Sequence, residues 1–198
     1  MYRFRANAYG QDIYKEENML ATHQDAEKRY EAFRKMTHDA IQRELPYPDR
    51  NNIRLGKICN KSIIQANSWE NNPARQVDWP WERGYANYSY LYPKRFEMAT
   101  WYGDTLAGLS IGRPSYNGTR LRLEFIESNP SSSPLKGRMV PINISAAELY
   151  ASIIGADELR IIDPIDTKLI EYYSSFGYKY RNSSGKKHHE HYLVKAIL

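Results

Sequence analysis

Cysteine is almost missing from this 198-residue sequence, with Cys59 as the lone example. One thiol cannot close an internal disulfide, so packing must hold the fold, and a reducing compartment fits such usage. Cys59 follows Leu55-Gly56-Lys57-Ile58 with no histidine beside it in sequence, which predicts a buried structural thiol rather than a nucleophile. Long apolar runs are missing as well. None approaches the ~20 residues that cross a bilayer, and Met1-Tyr2-Arg3-Phe4-Arg5 leads into a polar segment. Neither a membrane span nor a signal peptide is expected, and the cytoplasm is the expected location. Low-complexity tracts and internal repeats are absent too. With 41% hydrophobic and 26% charged residues, the composition belongs to a globular chain. The length suits one domain spanning residues 1–198.

What is present is a modest positive excess and much tyrosine. The net charge of +5 favours polyanionic ligands, nucleic acid and phosphorylated cofactors alike. The 17 tyrosines suit either half-buried strand surfaces or an aromatic-lined cleft.

Along the chain, residues 16–45 read as an amphipathic helix stopped by Pro46 and Pro48. Residues 55–69 read as a second, shorter helix, so residues 1–70 are mainly helical. Residues 71–93 form a long connection containing Trp79-Pro80-Trp81, and the alternation of Tyr88, Tyr90 and Tyr92 suggests a strand edge there. From Phe96 the period changes. Strands are predicted at 96–102 and 105–112, joined by the turn Gly103-Asp104, and at 120–127. The last of these puts Leu121, Leu123 and Phe125 on one face and Arg122, Glu124 and Ile126 on the other. A polar loop, a helix over 141–154, a strand over 158–162 and a helix over 167–175 follow. Strands at 178–181 and 190–197, joined through Ser183-Ser184-Gly185, close the chain. The order β-β-β-α-β-α-β-β over 96–198 specifies a mixed α/β sheet.

That order, with two local motifs, resembles the GNAT superfamily of acetyl-CoA-dependent N-acetyltransferases over about half the chain. The resemblance implies a single domain with a mostly antiparallel sheet flanked by helices, preceded by a first strand and two helices. Tyr2–Tyr9 is the candidate for that strand. The first motif is Pro134-Leu135-Lys136-Gly137-Arg138-Met139 before a helix. It is similar to the family's pyrophosphate loop, Arg/Gln-x-x-Gly-x-Gly/Ala, with Gly137 in the place of the first glycine. Backbone N–H groups and the positive end of a helix favour an anion at such a place. The resemblance implies CoA contacts at Ile126, Lys136, Gly137, Arg138, Met139 and Val140. The second motif, Leu169-Ile170-Glu171-Tyr172-Tyr173-Ser174-Ser175-Phe176-Gly177, looks like the family's Leu-Tyr-x-x-x-Gly-Phe ending. It implies that Tyr173 donates a proton to the leaving thiolate. An attacking amine must shed a proton, and the resemblance points to a strand glutamate as base, here Glu124 or Glu127.

The implied activity is acetyl transfer from acetyl-CoA to an amine by direct attack. The acceptor is expected to be macromolecular, a protein or RNA, ahead of a small amine, and to meet Trp81, Arg83 and Tyr88 in the long connection. A homodimer is compatible with the sequence, and no membrane partner is expected. The rival reading is a binding module that keeps the scaffold and grips nucleic acid or a protein. His188, His189 and His191 cluster near Glu190, but strand alternation splits them between two faces, so no metal site is assigned.

Overall fold

Alternation and turn chemistry place six strands in this chain, and a computed structural model gives their arrangement with a seventh, among the described residues, that the sequence did not announce. It describes residues 9–76, 78–131, 133, 135–182 and 191–197, with side chains from residue 22 onwards. The elements are α1 (Tyr9–Glu44), α2 (Asp49–Asn52), β1 (Ile53–Gly56), α3 (Asn60–Asn67), α4 (Trp81–Leu91), β2 (Phe96–Tyr102), β3 (Thr105–Pro114), β4 (Arg120–Ser128), α5 (Met139–Ile153), β5 (Glu158–Ile162), α6 (Thr167–Ser174), β6 (Lys179–Asn182) and β7 (His191–Ala196). The strands form one sheet in the order β1-β2-β3-β4-β5-β7-β6. The β4–β5 pairing is parallel and the other pairings are antiparallel.

Helices cover both faces of the sheet centre, which is why β2 is buried from Phe96 to Trp101. Phe96 and Met98 join a large apolar cluster with Ile41 of α1 and with Ala147 and Tyr150 of α5. Ala99 and Trp101 point the other way, into a second cluster with Ala66 of α3 and with Trp81 and Tyr88 of α4. No helix among the described residues is long and apolar enough to cross a membrane.

Five expectations need correction. Residues 55–69 are not one helix. Ile53 and Leu55 are buried alternately in β1, and α3 starts only at Asn60. β1, paired with β2, therefore takes the place of the first strand that Tyr2–Tyr9 was expected to fill. Of that segment, Tyr9 opens α1 and residues 1–8 lie outside the described residues. Cys59 is exposed, because it precedes α3 where the chain leaves the sheet. The region of Tyr88, Tyr90 and Tyr92 is helix α4, not a strand edge. Trp81, Tyr85, Tyr88 and Tyr92 recur at three- and four-residue steps, and all four belong to the second apolar cluster. The turn at Ser183-Ser184-Gly185 and the residues His188 and His189 lie outside the described residues.

The fifth correction concerns β4. Ile111 pairs with Phe125 but Gly112 pairs with Leu123, so Glu124 is an extra residue, a β-bulge. The bulge shifts the alternation by one. Leu121, Leu123 and Ile126 pack into the large cluster, while Phe125 crosses to the other face and stacks on Trp79 at 4.6 Å between ring centres. Gly112 permits the bulge, since a Cβ there would lie 2.3 Å from the Arg122 carbonyl oxygen.

Candidate active site

β4 and β5 run side by side only from Arg120 to Leu123, opposite Glu158 to Ile161. Past that point β4 bends at the bulge and the two strands part. Among the described residues the β5-facing edge of β4 is then left without a strand partner, and it presents backbone polar groups to whatever enters. A cleft of about 500 Å³ opens there. Its walls are Leu123–Ile126 of β4, Ile161–Ile165 at the end of β5, Leu169 and Tyr173 of α6, and Gln76 and Asp78 of the α3–α4 connection. Arg113 and Arg122 complete it.

Tyr173 reaches the cleft because α6 is fixed at both ends. The Asp166 carboxylate accepts the Leu169 N–H at 2.7 Å as a helix cap. Gly177, with φ of 86°, lets the chain turn back after the helix. The Tyr173 side chain is 2% exposed and packs against the rings of Tyr172 and Tyr178. Burial pushes its phenol well above the ordinary tyrosine value, so the group keeps its proton. Ile126 also lines the cleft.

The two glutamates separate. Glu124 lines the cleft, but its carboxylate accepts from Tyr88 Oη at 2.9 Å, Arg113 Nε at 3.0 Å and Arg122 Nε at 3.2 Å. Glu127 is 4% exposed, is not part of the cleft wall, and lies beneath the α3–α4 connection. Arg75 Nε and Nη2 donate to it at 2.7 and 3.2 Å, and Trp81 Nε1 donates at 2.5 Å. Both carboxylates are occupied with donors.

The Lys136–Val140 segment leads into α5. Gly137 adopts φ of 76° with open space where a Cβ would stand. The N–H of Lys136 already donates to Ser133 O, and those of Arg138 and Met139 to Leu135 O. Pro141 has no N–H to offer. Lys136 is exposed, and Arg138 is paired with Asp49. The Met139 side chain is buried, with its sulfur accepting from Ser128 Oγ at 3.2 Å. Tyr172 Oη donates to the Gly137 carbonyl at 3.4 Å, so the loop stands next to the helix that carries Tyr173.

The three residues expected to meet an acceptor are not a surface platform. Trp81 and Tyr88 are 1% and 8% exposed and belong to the second apolar cluster, whereas Arg83 is exposed on α4. Sequence reasoning missed Gln76, Asp78, Arg113 and Arg122 as cleft residues. The length of the 71–93 connection was the signal for the first two, and the bulge that exposes the others left none.

No protein-family model matches this sequence, and no curated protein matches it. Solved structures do match. Ard1 from Thermoplasma volcanium has a TM-score of 0.57 at 12% identity, covering 74% of this chain and 99% of its own. An aminoglycoside 6'-N-acetyltransferase complexed with coenzyme A has a TM-score of 0.52 at 15% identity, covering 73% and 97%. A mutant spermidine N-acetyltransferase from Vibrio cholerae has a TM-score of 0.54 at 13% identity, covering 74% and 95%. The chain has the GNAT fold. From β1 onwards its order, a strand, two helices and then β-β-β-α-β-α-β-β, is the GNAT order, and α1 stands before it.

Proposed function

We propose that this GNAT-fold protein transfers an acetyl group from acetyl-CoA to an amine by direct attack. The observation that carries the reading is the cleft where β4 and β5 part, with the buried, protonated Tyr173 on its wall. The residues present fit the co-substrate. The α5 N-terminus offers the positive end of a helix, Gly137 leaves room for close backbone approach, and Lys136 adds an exposed cation. Acetyl-CoA supplies an activated acyl thioester. The Lys136 ammonium and the N–H groups of Gly137 and Val140, which unlike those of Arg138 and Met139 are not spent on the loop, hold its pyrophosphate, and the open edge of β4 at Ile126 orients its acyl arm. Tyr173 gives a proton to the departing sulfur. Glu124 serves as a fixed anion that aligns Arg113 and Arg122 rather than as the base, because its oxygens are already taken. The lone thiol Cys59 supports a reducing compartment such as the cytoplasm.

Binding of acetyl-CoA tests this reading. A ligand at 100 times its dissociation constant stabilises the folded state by about 2.7 kcal/mol, so the thermal midpoint should rise measurably. Gly137→Val should weaken that rise, because a side chain would stand between backbone and phosphate. No shift at millimolar acetyl-CoA would remove the assignment and leave a GNAT scaffold used for binding alone.

A further inference from the structure

The two faces of the sheet from β4 to β6 are unlike. Leu121, Leu123, Leu159, Ile161 and Leu193 point into the large apolar cluster, together with Ala147 of α5 and Tyr173 of α6. Their neighbours along each strand point the opposite way. α3 and α4 cover that second face over β2 and β3, and among the described residues no helix packs on it over β5, β7 and β6. Strand pairing lines up cations there. Arg113 of β3 stands opposite Arg122 of β4, Arg122 opposite Arg160 of β5, Arg160 opposite Val194 of β7, and Val194 opposite Lys179 of β6. At ~4.8 Å per strand step this single row runs for roughly 19 Å. Arg120 and Arg181 flank it on the same face, opposite Glu158 and Tyr192.

Acids on this face are too few to cancel the row. Arg113 and Arg122 share Glu124, at 3.0 and 3.2 Å, and Arg120 and Arg160 share Glu158, at 3.0 and 2.5 Å. Asp78 and Asp163 stand only at its cleft end. Lys179 and Arg181 are exposed, and among the described residues neither side chain has a hydrogen bond or ion pair. Charges on an edge strand keep it from pairing with another chain, which accounts for Lys179 and Arg181. It does not account for Arg122 and Arg160, which belong to inner strands. Like charges directly opposite one another destabilise a sheet, and a bound polyanion removes that cost. The fork of an arginine also matches a phosphate. Arg160 lies 4.4 Å from the centre of the Tyr192 ring, and guanidinium and aromatic planes are what unpaired bases stack on.

We propose that this open face binds single-stranded RNA, with phosphates along the Arg113–Arg122–Arg160–Lys179 row and a base on the Arg160–Tyr192 pair. An acidic peptide would answer the charge but not the stacking pair. Arg113 and Arg122 also line the cleft, so a strand laid on the row leads to it. The inference stands apart from the acetyl-transfer reading, because RNA binding needs no acetyl-CoA.

The test is fluorescence anisotropy of an unstructured, labelled RNA of about 12 nucleotides titrated with the full chain, without acetyl-CoA. Phosphate-driven binding predicts a Kd of about 1–100 µM at physiological salt, and four contacted phosphates predict a slope of log K against log salt of about −3. Lys179→Glu/Arg181→Glu changes only exposed side chains and should weaken binding at least about tenfold and flatten the slope. Lys28→Glu/Lys35→Glu makes the same change in net charge on exposed residues of α1 and should leave affinity within about twofold. Arg160→Lys keeps the charge and removes the plane, so affinity should fall severalfold with the slope unchanged. The wild-type slope and competition by other polyanions need no variant. The inference is overturned if the wild-type protein does not bind the RNA, if the slope is near zero, or if the α1 variant loses as much affinity as the β6 variant. Tighter binding of a polyglutamate peptide, of duplex RNA or of single-stranded DNA of the same sequence overturns it as well, and assigns the face to that partner. A protein that binds acetyl-CoA but not RNA loses this inference and keeps the acetyl-transfer reading.

Discussion

A buried phenol that keeps its proton suits an acid, not a nucleophile, and this fits the acid role proposed for Tyr173 better than it fits its neighbour. Tyr172 is half-exposed and spends its hydroxyl on the Gly137 carbonyl at 3.4 Å, a weak contact. Tyr173→Phe keeps the ring in its packed site and removes only the donor. General acid catalysis contributes about 10²–10⁴-fold, so kcat should fall by that order with little change in KM for acetyl-CoA. Tyr172→Phe should change either constant by a small factor at most. Steady-state kinetics on the two variants decide the matter, and full activity in Tyr173→Phe would move the acid elsewhere. The sequence motif pointed to Tyr173, and the structure puts that residue on the cleft wall. The motif was not enough to rank the glutamates, since strand position says nothing about which donors will surround a carboxylate. Glu127 carries the right charge on the right strand, yet Arg75 and Trp81, 52 and 46 residues away, claim it.

At the level of elements, the strands from β2 to β5 and the helices α5 and α6 were legible because each carries its own period and its own stop signals. Phe96–Tyr102 and Glu158–Ile162 match the expected bounds to the residue. β1 was hidden by its length, since four residues hold only one full alternation. α4 was hidden by a competing pattern, Tyr88-Tyr90-Tyr92, whose two-residue step covers the longer helical one. The bulge at Glu124 was hidden because its cause lies on another strand, in the missing side chain of Gly112. Gly108 has a similar non-local meaning. A Cβ there would lie 1.8 Å from Met139 Sδ and 2.7 Å from the Glu127 carbonyl oxygen. Gly108→Val should therefore displace the first turn of α5 as well as strain β4. Overpacking of this kind costs about 1–3 kcal/mol, and the urea midpoint should drop accordingly. Acetyl-CoA affinity should fall in parallel, because Met139 is the first residue of α5 behind the Lys136–Gly137 loop. A variant with unaltered stability would show that the glycine is not needed for this packing.

Over the whole molecule, α1 is the part that stands outside the GNAT order, and charge rather than shape alone straps it to the sheet. β1 ends opposite Ala99, so the edge of β2 before that residue lacks a strand neighbour. α1 supplies donors in its place. Arg34 Nη1 donates to the carbonyls of Pro93 and Arg95, and His38 Nε2 donates to the Glu97 carbonyl at 2.8 Å. Glu27 bridges Arg34 and Arg95, and Arg95 in turn binds Glu97, which also accepts from Tyr85 Oη. His38 is 4% exposed. Burial, the largest influence, pulls its pKa below the ordinary histidine value of 6.5, against the opposing pull of the Glu97 carbonyl, the Glu97 carboxylate and Asp39, while Arg34 adds to the lowering. With the folded pKa below the unfolded one, the unfolded chain binds the proton first as pH falls. The stability that neutral His38 contributes is thus complete above about pH 6.5 and is lost progressively below it, by at most about 1.4 kcal/mol per pH unit. His38→Gln retains an amide donor for the Glu97 carbonyl and removes the titration. Urea midpoints measured from pH 7.5 down to 5.5 should fall more steeply for the wild-type protein than for His38→Gln, and parallel curves would show that His38 is not the titrating strap. Because α1 packs directly on α5, loosening it at acid pH should also weaken acetyl-CoA binding in the wild-type protein more than in the variant.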